Sequence, residues 1–171
     1  RDGQLGRELV RRYPEAQAVS RADCDLSDLD ALEQFLVAAR PDVIINASAY
    51  TAVDLAETNI DEAYGVNCIA PQAMAAYAAA HQIPFVHYST DYVFGDTKPS
   101  PQAYVETDPT GPIERLSIYG QSKWAGEQAI QKAFDHCNRS RYYILRGSWV
   151  YGEGNNFIQT MLRLAAERKV L

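Results

Sequence analysis

Three short apolar runs constrain what this chain can fold into: Asp42–Ala49 (D-V-I-I-N-A-S-A), Ile83–Tyr88 (I-P-F-V-H-Y) and Tyr142–Arg146 (Y-Y-I-L-R). Runs this short, apolar without strict alternation and bounded by proline or small residues, mark strands buried on both faces, as in a parallel sheet. Helical patterns lie between and around them: Arg7–Tyr13, with Leu5, Leu9 and Val10 apolar; Leu29–Ala39, stopped by Pro41; and Asp61–Gly65 with Val66–His81, weakly broken at Pro71. Two more follow, Tyr119–Phe134 and Asn156–Lys169, the second with Phe157, Met161, Leu162, Leu164 and Ala165 apolar. Ser27 stands where an N-cap for Leu29–Ala39 belongs, and the alanine-rich piece Ala73–Ala80 implies close packing on a sheet. With a further short strand at Ala16–Ser20, strands alternate with helices throughout. That order predicts a doubly wound α/β fold, a parallel sheet with helices on both faces. At 171 residues the chain fits one domain with a substantial core.

A hydrophobic share of 47% and a charged share of 22% are those of an ordinary soluble globular protein. The net charge of −6 argues against a nucleic-acid or anionic-membrane partner. Neither a signal peptide nor a run long enough to span a bilayer is present. Cys24, Cys68 and Cys137 are isolated, odd in number and without metal-ligand spacing, so reduced thiols in a cytoplasmic protein are expected. His81, His87 and His136 are scattered, and no metal site is expected.

The chemistry gathers in Ile118–Glu127, I-Y-G-Q-S-K-W-A-G-E. Tyr119 and Lys123 are four residues apart on a helix, which stacks them on one face with β-carbons about 6 Å apart. A phenol with a pKa near ~10 exchanges protons poorly at neutral pH. An ammonium one turn away favours the phenolate and brings the tyrosine into range for general acid–base work. Ser89, Thr90 and Asp91 close the second run, at the carboxyl end where open α/β sheets place ligand chemistry. Asn46–Ala49 are small at the end of the first run, letting a ligand approach the backbone. Gly3 and Gly6 have the spacing of the last two glycines of G-x-x-G-x-x-G, whose loop and helix N-terminus receive a pyrophosphate. Asp25 and Leu26 stand where an adenine would pack, and Gly95–Thr110, with Pro99, Pro101 and Pro109, reads as a long surface loop of the functional or disordered kind. Each feature also has an ordinary structural reading: a core tyrosine beside a solvated lysine, a turn before a helix, a capping loop.

Four blocks, N-A-S-A-Y-T-A-V-D-L-A-E (Asn46–Glu57), H-Y-S-T-D-Y-V-F (His87–Phe94), Y-G-Q-S-K-W-A-G-E (Tyr119–Glu127) and S-W-V-Y-G-E-G-N-N-F (Ser148–Phe157), follow the order of the extended short-chain dehydrogenase/reductase family. The chain resembles that family, in its branch acting on dTDP-linked keto sugars, over nearly its whole length. The resemblance implies a Rossmann-like NAD(P)-binding domain over 1–171, incomplete at both ends: the first strand and first glycine are missing, as is a C-terminal substrate lobe. It implies reduction of the 4-keto group of dTDP-4-dehydro-L-rhamnose with NADPH or NADH. Tyr119 would protonate the keto oxygen, Lys123 would hold the nicotinamide ribose and lower the Tyr119 pKa, and Thr90 would polarise the carbonyl. Gly3, Gln4, Leu5 and Gly6 would meet the pyrophosphate, and Asp25 and Leu26 the adenine. Ala47, Ser48, Ala49, Tyr50, Thr51 and Asn67 would line the cofactor, and Thr90, Asp91 and Trp149 the dTDP-sugar, with Glu106 nearby. Arg21 would meet a 2′-phosphate and Asp23 oppose it, leaving NADPH against NADH open. A homodimer through the missing C-terminal region is also implied. Two departures touch the site: Gly147 stands for the usual threonine, and Pro112–Ile118 is about three residues longer than usual. Two other roles remain open, a sugar-nucleotide epimerase or dehydratase and a non-catalytic NADP-binding regulatory subunit. S-T-D-Y-V-F and S-W-V-Y-G favour the reductase over the first, and the intact Thr90, Tyr119 and Lys123 set argues against the second.

Overall fold

A computed structural model describes residues 2–99, 101–135, 137, 141–154 and 156–167. The three apolar runs form β1 (Ile44–Asn46), β2 (Phe85–Thr90) and β3 (Tyr142–Gly147), a parallel sheet in the order β1-β2-β3. Cα partners run from Ile44↔Phe85 to Asn46↔His87 on one side of β2, and from Phe85↔Tyr142 to Thr90↔Gly147 on the other. Parallel neighbours need long crossovers, and helices supply them. In chain order these are α1 (Gln4–Arg12), α2 (Leu29–Ala39), α3 (Val53–Ala56), α4 (Ile60–Tyr64), α5 (Ala70–His81), α6 (Ile118–Phe134) and α7 (Phe157–Glu167).

The core lies between the sheet and α2, α5 and α6. Leu32 and Leu36 of α2, Met74, Ala75 and Ala78 of α5, and Ile130 and Phe134 of α6 surround Ile44 and Phe85. Alanines let α5 settle close: Ala70, Ala75 and Ala78 are fully buried. Period-2 alternation sends Ile45, Tyr143 and Leu145 to the opposite face of the sheet, where they are exposed. Among the described residues no helix is long and apolar enough to cross a membrane.

Three local expectations are corrected. Ala16–Ser20 is not a strand; among the described residues the sheet holds three strands with β1 at its edge, paired with β2. The cap of α2 is Asp28, not Ser27: the Asp28 carboxylate accepts from the Ala31 N–H at 3.0 Å. Ser27 is turned away, its N–H and hydroxyl both donating to Asp25 Oδ1. Pro71 does not break a helix either. It sits at the start of α5, directly after a π-helical turn, in one helical run from Ile60 to His81. The irregularity lies one step earlier, in a π-helical turn over Gly65–Ile69.

The long loop after β2 is tied down. The Tyr104 ring stacks on Phe94 with centroids 4.3 Å apart, its hydroxyl accepts from the Lys98 N–H at 2.9 Å, and Lys98 pairs with Asp108. The Trp124 indole N–H of α6 donates to the Thr110 hydroxyl at 3.1 Å.

Candidate active site

Helix α6 begins where Ser117 caps it, its hydroxyl accepting from the Gly120 N–H at 3.1 Å, and the Glu57 carboxylate accepts from the Ile118 N–H at 2.9 Å. Two glycines let the helix come close. A Cβ at Gly126 would lie 2.1 Å from the Asn67 carbonyl oxygen, and one at Gly120 would lie 3.1 Å from that of Tyr92. The helix therefore presses on both the π turn and the segment after β2, placing Tyr119 and Lys123 against the carboxyl end of β2.

Lys123 is 1% exposed. Its Nζ donates to the Tyr88 carbonyl at 2.6 Å and lies 3.2 Å from His87 Nε2. Burial pushes its pKa down to about 8, with Glu127 pulling back the other way. The Tyr119 ring meets Tyr92 edge-on, centroids 5.4 Å apart. Burial raises the Tyr119 pKa, the Thr90 hydroxyl lowers it by less, and Asp91 and Tyr92 raise it further. The expectation that Lys123 pulls the phenol down is corrected by this geometry: its described hydrogen bonds run to β2, and burial dominates at the phenol. Thr90 is buried; its hydroxyl accepts from the Tyr92 N–H and donates to Asp91 Oδ1, both at 3.2 Å.

Beneath Lys123, Glu127 is fully buried and held by Arg146 at 2.7 to 3.2 Å and by the Ser89 hydroxyl at 2.5 Å. This charge-assisted bidentate pair fastens α6 to β3 and β2.

The loop after β1 is built by two asparagines. Asn46 Oδ1 accepts from the Ser48 N–H at 3.0 Å and its hydroxyl at 2.5 Å. Asn67 is 0% exposed. Its amide accepts from the Tyr50 N–H at 2.9 Å and donates to the Tyr50 carbonyl and the Ser122 hydroxyl. Ala47, Ser48, Ala49 and Tyr50 are half-buried and Thr51 exposed. Asn67 thus acts through the loop it holds, since its whole amide faces protein.

The other expected residues lie further out. Gly3 caps α1, and a Cβ there would meet nothing within 4 Å; Gln4, Leu5 and Gly6 form the half-buried first turn. Arg7 joins α1 to the loop after β3, donating to the Glu153 carbonyl at 3.1 Å. Trp149 is exposed and packs on Phe157, centroids 4.2 Å apart. Asp25 is ringed by Ser27 and Arg21, while Leu26 packs against the core. Arg21 also lies 3.7 Å from Glu62. Glu106 is exposed. Among the described residues, no group of three or more His, Cys, Asp or Glu gathers as a metal site.

Sequence reasoning passed over His87, Glu127, Arg146 and Ser122. The signal for His87 was there: a titratable residue inside an apolar strand run has to be buried, and so needs partners.

A parallel sheet with its polar cluster at the strands' carboxyl ends defines the class, a Rossmann-like α/β domain. Among solved structures it superposes on a dTDP-4-dehydrorhamnose reductase ortholog from Clostridium acetobutylicum with a TM-score of 0.85 at 36% identity, covering 98% of this chain and 57% of that one. The Bacillus anthracis dTDP-4-dehydrorhamnose reductase in complex with NADP gives 0.84 at 37%, covering 98% and 58%. The Thermotoga maritima UDP-glucose 4-epimerase gives 0.76 at 17%, covering 93% and 58%, a likeness of fold alone.

The family model described as the RmlD substrate binding domain matches residues 1–171, and the chain belongs to that family. Among curated relatives, dTDP-4-dehydrorhamnose reductase of Salmonella typhimurium is 44% identical over 177 residues, covering 99% of this chain and 56% of the relative. That of Shigella flexneri is 41% identical with the same coverage. The chain spans little more than half the length of the curated relatives it matches.

Proposed function

We propose that this chain is the cofactor-binding part of an NAD(P)H-dependent reductase that converts the 4-keto group of dTDP-4-dehydro-L-rhamnose to the alcohol of dTDP-L-rhamnose. The observation that carries it is one cluster at the carboxyl end of β2, buried Thr90 and Lys123 with half-buried Tyr119. A phenol whose pKa is raised by burial stays protonated at neutral pH, the state a general acid needs. Tyr119 gives its proton to the 4-keto oxygen, and Thr90 hydrogen-bonds the same oxygen and stabilises the charge growing there. Lys123, held one turn behind by the Tyr88 carbonyl, is assigned to the nicotinamide ribose. NADPH or NADH, when bound, supplies the hydride.

The chain's residues suit such a cofactor. Backbone at Gly3 opens beside the N-terminus of α1, favourable for phosphates, and Ala47, Ser48 and Ala49 offer small side chains after β1. Asp91 and Trp149 are assigned to the sugar nucleotide. Domain 1–171 as a single NAD(P)-binding unit, a cytoplasmic setting and a homodimer through C-terminal residues complete the reading.

The test is NADPH oxidation by the full-length protein with dTDP-4-dehydro-L-rhamnose, comparing wild type with Tyr119→Phe. Turnover by wild type and a loss on the order of a hundredfold or more in the variant are expected. Cofactor binding without turnover would move the assignment to another keto sugar, or to the regulatory role.

A further inference from the structure

His87 is 0% exposed and stands between two buried polar groups, with Asn46 Nδ2 at 3.1 Å from Nδ1 and Lys123 Nζ at 3.2 Å from Nε2. Neighbouring strands set this up. Asn46 and His87 are Cα partners across β1 and β2, so both side chains point to the face that α6 covers.

The donors and acceptors along this row can be assigned. A backbone N–H only donates, so the Asn46 atom 3.0 Å from the Ser48 N–H is its carbonyl oxygen. The Asn46 NH2 then faces His87 and donates to Nδ1. Nδ1 is therefore an acceptor, and the proton of the neutral imidazole sits on Nε2, aimed at Lys123 Nζ. Such a donor needs a lone pair opposite, which an amine has and an ammonium lacks.

We propose that Ser48, Asn46 and His87 form a one-way hydrogen-bond row that ties the charge of Lys123 to the loop after β1, with Asn46 and His87 as positioning residues. With Lys123 an amine, every bond in the row is made: the amine accepts from His87 and donates to the Tyr88 carbonyl. With Lys123 an ammonium, Nε2 must accept, so the ring proton moves to Nδ1. Asn46 must then turn its oxygen to His87, and the Ser48 N–H loses its acceptor. Charging the lysine loosens the loop, and holding the loop favours the amine. This deepens the proposed function by making Ser48, on the cofactor side, a regulator of the lysine behind the general acid.

Other groups around Lys123 do not reverse the row. Tyr119 and Glu127 lie on its own helix, and Glu127 is neutralised by Arg146 from β3 and held by Ser89 from β2. Asp91, after β2, acts on Tyr119.

The test is the ring tautomer of His87, read by long-range proton–nitrogen NMR of the intact protein across the Lys123 titration. The Nε2–H form is expected on the alkaline side and the Nδ1–H form on the acid side. A single tautomer throughout overturns the proposal. Asn46→Asp is the second arm: its carboxylate can only accept, so it should lock the Nδ1–H form and raise the Lys123 titration by about one pH unit or more. An unchanged lysine titration in a folded Asn46→Asp protein also overturns it. The tautomer is read without turnover, so a switching His87 in an inactive protein would count against the reductase reading alone. Turnover with a fixed tautomer would count against the row alone.

Discussion

At the residue scale, burial decides the behaviour of His87. Burial and the neighbouring Lys123 hold its pKa down to about 3, from an ordinary 6.5. Between those values the unfolded chain binds a proton that the folded chain refuses, so stability rises with pH through the window and is lost on acidification. Lowering the pH from about 6.5 to about 4.5 should cost about 2 kcal/mol from this group. Urea titrations at the two pH values check it, and His87→Gln should flatten the difference. Glu127 gives a second prediction. Arg146→Met leaves a fully buried carboxylate without its bidentate guanidinium, and should destabilise by about 3 kcal/mol, read from denaturant midpoints. The sequence displayed Tyr119 and Lys123 because i, i+4 spacing needs no tertiary knowledge. It could not display their electrostatics. The shift on each is dominated by burial, and burial depends on how strands and helix meet.

At the element scale, β1, β2, β3, α2 and α6 were legible because each is a long enough periodic or apolar run between clear stops. What escaped was set by neighbours. The choice between Ser27 and Asp28 as cap turns on which side chain reaches the first free N–H groups of α2, and Asp25 captures Ser27 first. Asp28→Ala should therefore cost about 1 kcal/mol of stability, against a few tenths for Ser27→Ala in the same denaturation assay. The π turn at Gly65–Ile69 was hidden in an ordinary helical pattern. Its consequence falls on α6, because Gly126 is where the helix meets the Asn67 carbonyl. Gly126→Ala should destabilise by about 1–3 kcal/mol, read from denaturant midpoints, and displace the Tyr119 face.

For the whole molecule, β2 is the axis: it pairs on both sides, carries His87 inward and ends at Thr90. Hydrogen exchange should accordingly be slowest in Phe85–Thr90 and faster in β1 and β3. The doubly wound class was legible from alternation alone, and the absence of a strand at Ala16–Ser20 was not, because a strand exists only with a partner.

The bond from Trp124 to Thr110 has an optical consequence. The protein has two tryptophans, and they differ in setting: Trp124 is half-buried one residue beyond Lys123, while Trp149 is exposed. Emission should divide into a blue, quencher-resistant part from Trp124 and a red, iodide-sensitive part from Trp149. Thr110→Val, which removes that bond, should shift the blue part alone. The fold thus carries its own fluorescent gauge of loop position, one residue from the lysine whose charge the site depends on.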